Sequence, residues 1–134
     1  NWYNMYLYQD SRKYASNPYS SSKSVVSSMI WGSQYDAVMN WMAKQGIDVG
    51  SKNENKTNKT EITGKYITDV LNNIYDLYGA HKEWTIEGNS NNQRSTRGGV
   101  YDGIYSPANR YSNNNLLPYQ TGVGNNTRIT LYVN

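Results

Sequence analysis

Apolar positions in this chain fall in short runs separated by long polar stretches. The first run, Trp2 to Tyr14, is aromatic-rich and places Met5, Tyr8 and Arg12 at helical spacing, which predicts a short helix. Asn17 to Ser24 (NPYSSSKS) reads as a loop from its Pro and Ser content. Val25-Val26 starts a short extended piece. Ile30-Trp31-Gly32-Ser33 then leads into the strongest helical pattern of the chain. Ser33 is a natural N-cap, and Asp36 occupies the N3 position of a capping-box-like arrangement. Val38, Trp41 and Met42 share one face at i, i+3 and i+4, which predicts a core stripe, and Gly46 follows as the stop.

The second half reads differently. Asp48 to Thr63 is polar and almost free of apolar residues, so an exposed loop is expected, and its sequons at Asn55 and Asn58 carry little weight in so Asn-rich a chain. Thr68 to Tyr75 carries Val70, Leu71 and Ile74 and runs on to a turn around Gly79. Glu83-Trp84-Thr85-Ile86 alternates like a strand. Arg97-Gly98-Gly99 precedes a second short strand, where glycine permits conformations closed to other residues. Tyr101 to Asn126 shows little periodicity. Arg128-Ile129-Thr130-Leu131-Tyr132-Val133 alternates, is β-branched, and predicts the final strand. There is no internal repeat. The pattern predicts a loop-rich α+β chain with few helices, most of its strands in the second half.

A length of 134 residues suits one domain spanning 1–134. Phe is absent, whereas 14 Tyr and 4 Trp supply the aromatic bulk, an amphipathic choice that lets rings sit half-buried at a surface. Asn is the commonest residue, and the mixture of Tyr, Ser, Asn and Gly is that of paratopes. The formal net charge is only +3, and the lysines from Lys52 to Lys59 alternate with Asn, Thr and Glu as in a solvated loop, which disfavours nucleic acid as a partner. No apolar stretch approaches the roughly 20 residues of a membrane span, so no membrane insertion is expected. No secretory signal opens the chain, and its start at Asn1 points to a processed product or one domain of something longer. The absence of Cys removes disulfides, thiolate catalysis and thiolate metal sites.

Tyr75-Asp76-Leu77, Gly79, Glu83-Trp84-Thr85, Arg97-Gly98-Gly99, Ala108 and Arg110 resemble the C-terminal half of formylglycine-generating-enzyme-like (sulfatase-modifying factor) domains. The resemblance runs from about Met29 to Val133 and implies a variant of the C-type lectin fold with short antiparallel strands. It also implies a trimmed or abbreviated domain, since the family's N-terminal strands are missing before Asn1. The family's copper chemistry needs two cysteines, so catalysis of that kind is excluded. The family's calcium sites draw on an Asn that is Ala80 here, which counts against calcium at Glu83. No cofactor is expected, and no metal ligands are assigned.

Members of this fold without the cysteines resemble the variable proteins of diversity-generating retroelements, displayed on phage tails and bacterial surfaces. That resemblance places the ligand-binding residues after Arg97-Gly98-Gly99, at Tyr101, Asp102, Tyr105, Asn109, Tyr111, Asn113, Asn114 and Asn115. The function it implies is a non-enzymatic ligand- or receptor-binding display domain, extracellular, on a virion or bacterial cell, with a protein or glycan as partner. An alternative is a structural or decoration subunit whose core a neighbouring chain or a longer parent protein completes. A hydrolase drawing a carboxylate pair from Asp69, Asp76, Glu83, Glu87 and Asp102 ranks last, because no spacing selects two of them. Glu83 and Arg97 are expected in internal ion pairs or turn contacts, Trp84 in the core, and His81 in a turn without a catalytic role.

Overall fold

A computed structural model describes residues 1–47, 70–75, 77, 81–88, 92–98, 111–112, 117–120 and 124–134. The elements run α1 (Trp2–Gln9), β1 (Val25–Met29), α2 (Gly32–Lys44), β2 (Val70–Leu71), β3 (Ile74–Tyr75), β4 (Lys82–Gly88), β5 (Arg94–Arg97), β6 (Tyr111–Ser112), β7 (Asn125–Thr127) and β8 (Ile129–Val133). The chain is therefore α+β and loop-rich, with its strands in mostly antiparallel sheets. β1 pairs with β8, Val25 opposite Val133 and Met29 opposite Ile129, so the first and last strands meet in one ribbon. A four-stranded sheet has the order β6-β5-β4-β7, in which only β4 and β7 run parallel. The Ile86 amide donates to the Ile30 carbonyl at 3.0 Å and ties β4 to the end of β1.

α1 is shorter than its pattern suggests. Its buried residues are Trp2 and Gln9, with Met5 and Tyr6 packed nearby, whereas Tyr8 is exposed. The i, i+3, i+4, i+7 stripe thus starts at Trp2, and the expected Met5-Tyr8-Arg12 face is not the buried one. Asp10 stops the helix. Its carboxylate accepts from the Arg12 amide at 2.9 Å, an Asx turn that competes with further helix. The predicted 17–24 loop is organised by Asn17, which is buried and donates to the Tyr8 carbonyl at 2.7 Å while accepting from the Tyr19 amide at 2.9 Å.

α2 begins one residue before the expected Ser33 cap. Trp31 is the N-cap, and its amide donates to the Gln34 side chain at 2.9 Å. Asp36 is not a capping residue here; it forms an ion pair with Arg97 of β5, whose side chain is 1% exposed. The core face consists of Tyr35, Val38, Met39 and Met42, packed with Ile30, Leu77 and Ile74. Trp41 is 45% exposed, because it lies one step outside the stripe that Tyr35 and Met42 define. Gly46 follows the helix with φ +77°, as a C-terminal stop requires.

Val70 to Tyr75 forms a hairpin, with Val70 opposite Tyr75 and Leu71 opposite Ile74. Its two linking residues, Asn72 and Asn73, have φ of 48° and 63°, the left-handed pair that a two-residue type I′ turn needs and that Asn tolerates. Arg97 closes strand β5 and Gly98 follows it with φ +89°, whereas the short strand expected after Gly99 lies outside the described residues. Within the stretch read as aperiodic, Tyr111–Ser112 and Asn125–Thr127 are strands. Trp84 is 1% exposed and packs with Trp2 and Met29 in a second apolar cluster, as expected. Glu83 and Arg128 form a two-pronged ion pair at 2.6 and 2.9 Å, and the same guanidinium donates to the Tyr75 carbonyl at 2.9 Å. Strands β4 and β3 and the β7–β8 junction are thereby locked together.

Candidate functional site

The β1–β8 ribbon, α1 and β4 enclose an open cleft of about 610 Å³. That volume lies within the range of small-molecule sites. Trp2 and Tyr6 come from α1, Val26 and Ser28 from β1, Ile86 from β4, Arg94 from β5, and Tyr132 from β8. Trp31, the α2 cap, stands at the rim and is 49% exposed. Residues far apart in sequence meet here because β1 and β8 pair along their whole length.

The polar handles of three cleft aromatics, Trp2, Tyr6 and Tyr132, are engaged by the protein. The Trp2 indole N–H donates to the Thr85 carbonyl at 2.7 Å, the Tyr6 hydroxyl to Asp10 at 3.1 Å, and the Tyr132 hydroxyl to the Gln34 Oε1 at 3.1 Å. That same Gln34 oxygen accepts from the Trp31 backbone amide, so one side chain ties the Tyr132 ring to the start of α2. Trp2 and Tyr6 stack with centroids 5.1 Å apart and planes 4° off parallel. Ring surfaces held in this way lose little freedom when a ligand arrives.

Among the described residues two arginines, Arg12 and Arg94, line the cleft, and they differ. Arg12 grips Asp10 through Nε at 3.1 Å and Nη2 at 3.2 Å. Burial pushes the Asp10 carboxyl up, but hydrogen bonds from the Arg12 side chain, the Arg12 amide and the Tyr6 hydroxyl outweigh it and hold the group below the ordinary carboxylate value. Burial, aided by the Asp10 hydrogen bond and charge, raises the Tyr6 hydroxyl, which stays protonated. Arg94 lies 4.4 Å from the centre of the Trp2 ring, a cation–π contact, and its Nη1 donates to the Ile86 carbonyl at 3.2 Å. Among the described residues it has no carboxylate partner, and its Nε has no acceptor.

Of the predicted ligand-binding residues, Tyr111 is described only by its backbone, in β6 opposite Thr96. Tyr101, Asp102, Tyr105, Asn109, Asn113, Asn114 and Asn115 lie outside the described residues. So do Asp69 and Asp76. Glu83 and Glu87 do not line the cleft: Glu83 pairs with Arg128, and the Glu87 side chain lies against Gly32. Among the described residues no three metal-ligating side chains cluster, and no helix is long and apolar enough to cross a membrane. A second cavity of about 250 Å³ is walled mainly by core residues, among them Ile30, Tyr35 and Leu77. The Tyr35 hydroxyl is buried there without a partner, and desolvation raises its pKa strongly.

The sequence pattern pointed to none of the cleft as a site. Trp2, Tyr6 and Tyr132 register only as members of amphipathic runs, Trp31 as a helix approach, and Arg94 carries no local signal at all. No family model matches the chain, and neither does any curated protein or solved structure.

Proposed function

We propose that this chain is a non-enzymatic ligand-binding domain, displayed on a virion or bacterial surface, with an abbreviated C-type-lectin-like fold. The observation that carries the reading is the cleft whose Tyr132, Trp2 and Tyr6 ring handles are tied to Gln34, Thr85 and Asp10, with the half-exposed Trp31 ring at its rim. A catalytic centre needs titratable groups aimed at a substrate. This cleft offers fixed ring faces and arginine donors, which suit recognition. The pairing of the first strand with the last around a short-stranded sheet supports the fold assignment. The stretch containing Tyr101, Asp102, Tyr105, Asn109, Tyr111, Asn113, Asn114 and Asn115 would provide a second contact surface.

The test is a binding screen of the purified chain against glycans, peptides and cell surfaces, with calcium and then with chelator. Specific binding that Trp31→Ala weakens identifies a recognition domain that uses the cleft. Binding lost only in Tyr105→Ala and Tyr111→Ala moves the face to the 101–115 stretch. A stably folded chain that binds nothing overturns the reading in favour of a structural subunit.

A further inference from the structure

Resting on that reading of the cleft, we propose that its ligand carries a carboxylate attached to a flat ring, with Arg94 as the residue that receives the carboxylate. A half-buried guanidinium without a counter-charge is an unusual feature, because buried charges are ordinarily paired. Arg94 has one neutral hydrogen bond, to Ile86, and an aromatic face, that of Trp2. Among the described residues its Nε finds no acceptor. These contacts hold the fork in place without neutralising it. An anion entering the cleft would supply the missing acceptor and the missing charge together.

The same geometry sets how much charge the ligand bears. Arg12 also lines the cleft, but both of its prongs are engaged by Asp10, which is fully buried and stays ionised. Among the described residues, one unmatched positive charge therefore remains at this wall. A monoanion matches it, whereas a phosphate-monoester dianion would call for a second free cation. A planar carboxylate can also meet a planar guanidinium with two parallel hydrogen bonds. The ring attached to that carboxylate follows from the other walls. Tyr6, Tyr132 and Trp31 present faces whose polar groups are engaged elsewhere or, for Trp31, stand half in solvent. Such faces take the flat side of a sugar ring or of an aromatic ring. Ser28 and Asn134, which line the cleft beside them, offer the few polar contacts that fix orientation.

Two sources share this chemistry, uronic acids and aromatic carboxylates, and titration separates them. The intact chain is titrated with galacturonic acid and its neutral methyl ester, with indole-3-acetate and its neutral amide, and with galactose 6-sulfate and galactose 6-phosphate. Cleft binding is followed by calorimetry and by the side-chain resonances of Trp31 and Arg94. The expected result is that at least one carboxylate binds about tenfold or more tightly than its neutral counterpart, the equivalent of one charge-assisted hydrogen bond. Arg94→Gln should abolish that preference, and Arg94→Lys should retain part of it at an unchanged unfolding temperature. Equal binding of neutral and charged rings in the cleft overturns the inference while leaving a binding domain in place. Tighter binding of the sulfate or phosphate ester overturns the carboxylate assignment. If no member of the panel shifts the cleft resonances, the inference fails on its own, since the broader surface screen decides separately whether the chain is a binding domain.

Discussion

Replacing Arg128 with Met should destabilise the chain by about 2–3 kcal/mol, and the figure follows from what Arg128 touches. Its guanidinium meets both oxygens of Glu83, at 2.9 and 2.6 Å, and the Tyr75 carbonyl at 2.9 Å. Glu83 is 8% exposed, so removal of Arg128 takes a two-pronged partner away from a carboxylate in a poorly hydrated place. Breaking a fully buried pair costs about 3–5 kcal/mol. The Arg128 side chain is 27% exposed, however, so water can partly resolvate the carboxylate, which brings the loss below that range. For a domain of this size the expected fall in Tm is roughly 6–12 °C. The informative partner is Glu83→Met combined with Arg128→Met. Removing both charges takes the pair away together, so the double variant should lose less than the sum of the two single losses, with a coupling of at least about 1 kcal/mol. Thermal and urea unfolding of the four forms measures it. A double variant as unstable as the sum of the singles would refute the claim that this pair locks β4 to the β7–β8 junction.

Gln34→Leu removes the shared acceptor of Trp31 and Tyr132 and should cost about 1–2 kcal/mol in urea unfolding, with a further loss of ligand affinity as the cleft walls loosen. Gly98→Ala puts a side chain at φ +89°, next to the Tyr35 hydroxyl at 3.4 Å from the added carbon, and should destabilise by about 1–2 kcal/mol, whereas D-Ala introduced at the same place by chemical synthesis should not. Because the native Asp10 pKa lies below its unfolded value, its contribution is present above the unfolded value, near pH 4, and is lost as the pH falls through the native one. Urea unfolding from pH 6 to pH 2 should therefore show a steeper acid loss in the wild type than in Asp10→Asn, and parallel curves would remove Asp10 from that role.

The elements legible in the sequence are those in which one periodicity dominates. β8 alternates from Ile129 to Val133, and α2 shows a stripe through Val38 and Met42, so both stood out. The stripe was misdrawn at its edges because Tyr35, with its hydroxyl, reads as amphipathic, although it is 1% exposed, and Trp41 reads as core, although it is nearly half exposed. The β2–β3 hairpin was missed for a different reason. Asn72-Asn73 is a turn signal, but it does not stand out in a chain where Asn is the commonest residue. The cleft could not be read from sequence at all. It joins Trp2, Trp31, Arg94 and Tyr132 across more than a hundred residues, and the β1–β8 register, the β4–β5 pairing and the contact of Arg94 with Trp2 bring them together. Arg94 differs from Arg97 and Arg128 in lacking a carboxylate neighbour among the described residues, which is a property of three-dimensional placement.

The four tryptophans offer the most direct test of the cleft as a binding site. Trp2 and Trp31 line it, Trp41 lies on the outer side of α2, and Trp84 is in the core, so an amide and indole NMR spectrum reports all four environments at once. A ligand found by the surface screen should shift the indole signals of Trp31 and Trp2 and leave those of Trp41 and Trp84 in place. Shifts confined to Trp41, or to no indole while the ligand still binds, would contradict the assignment of this cleft as the binding site.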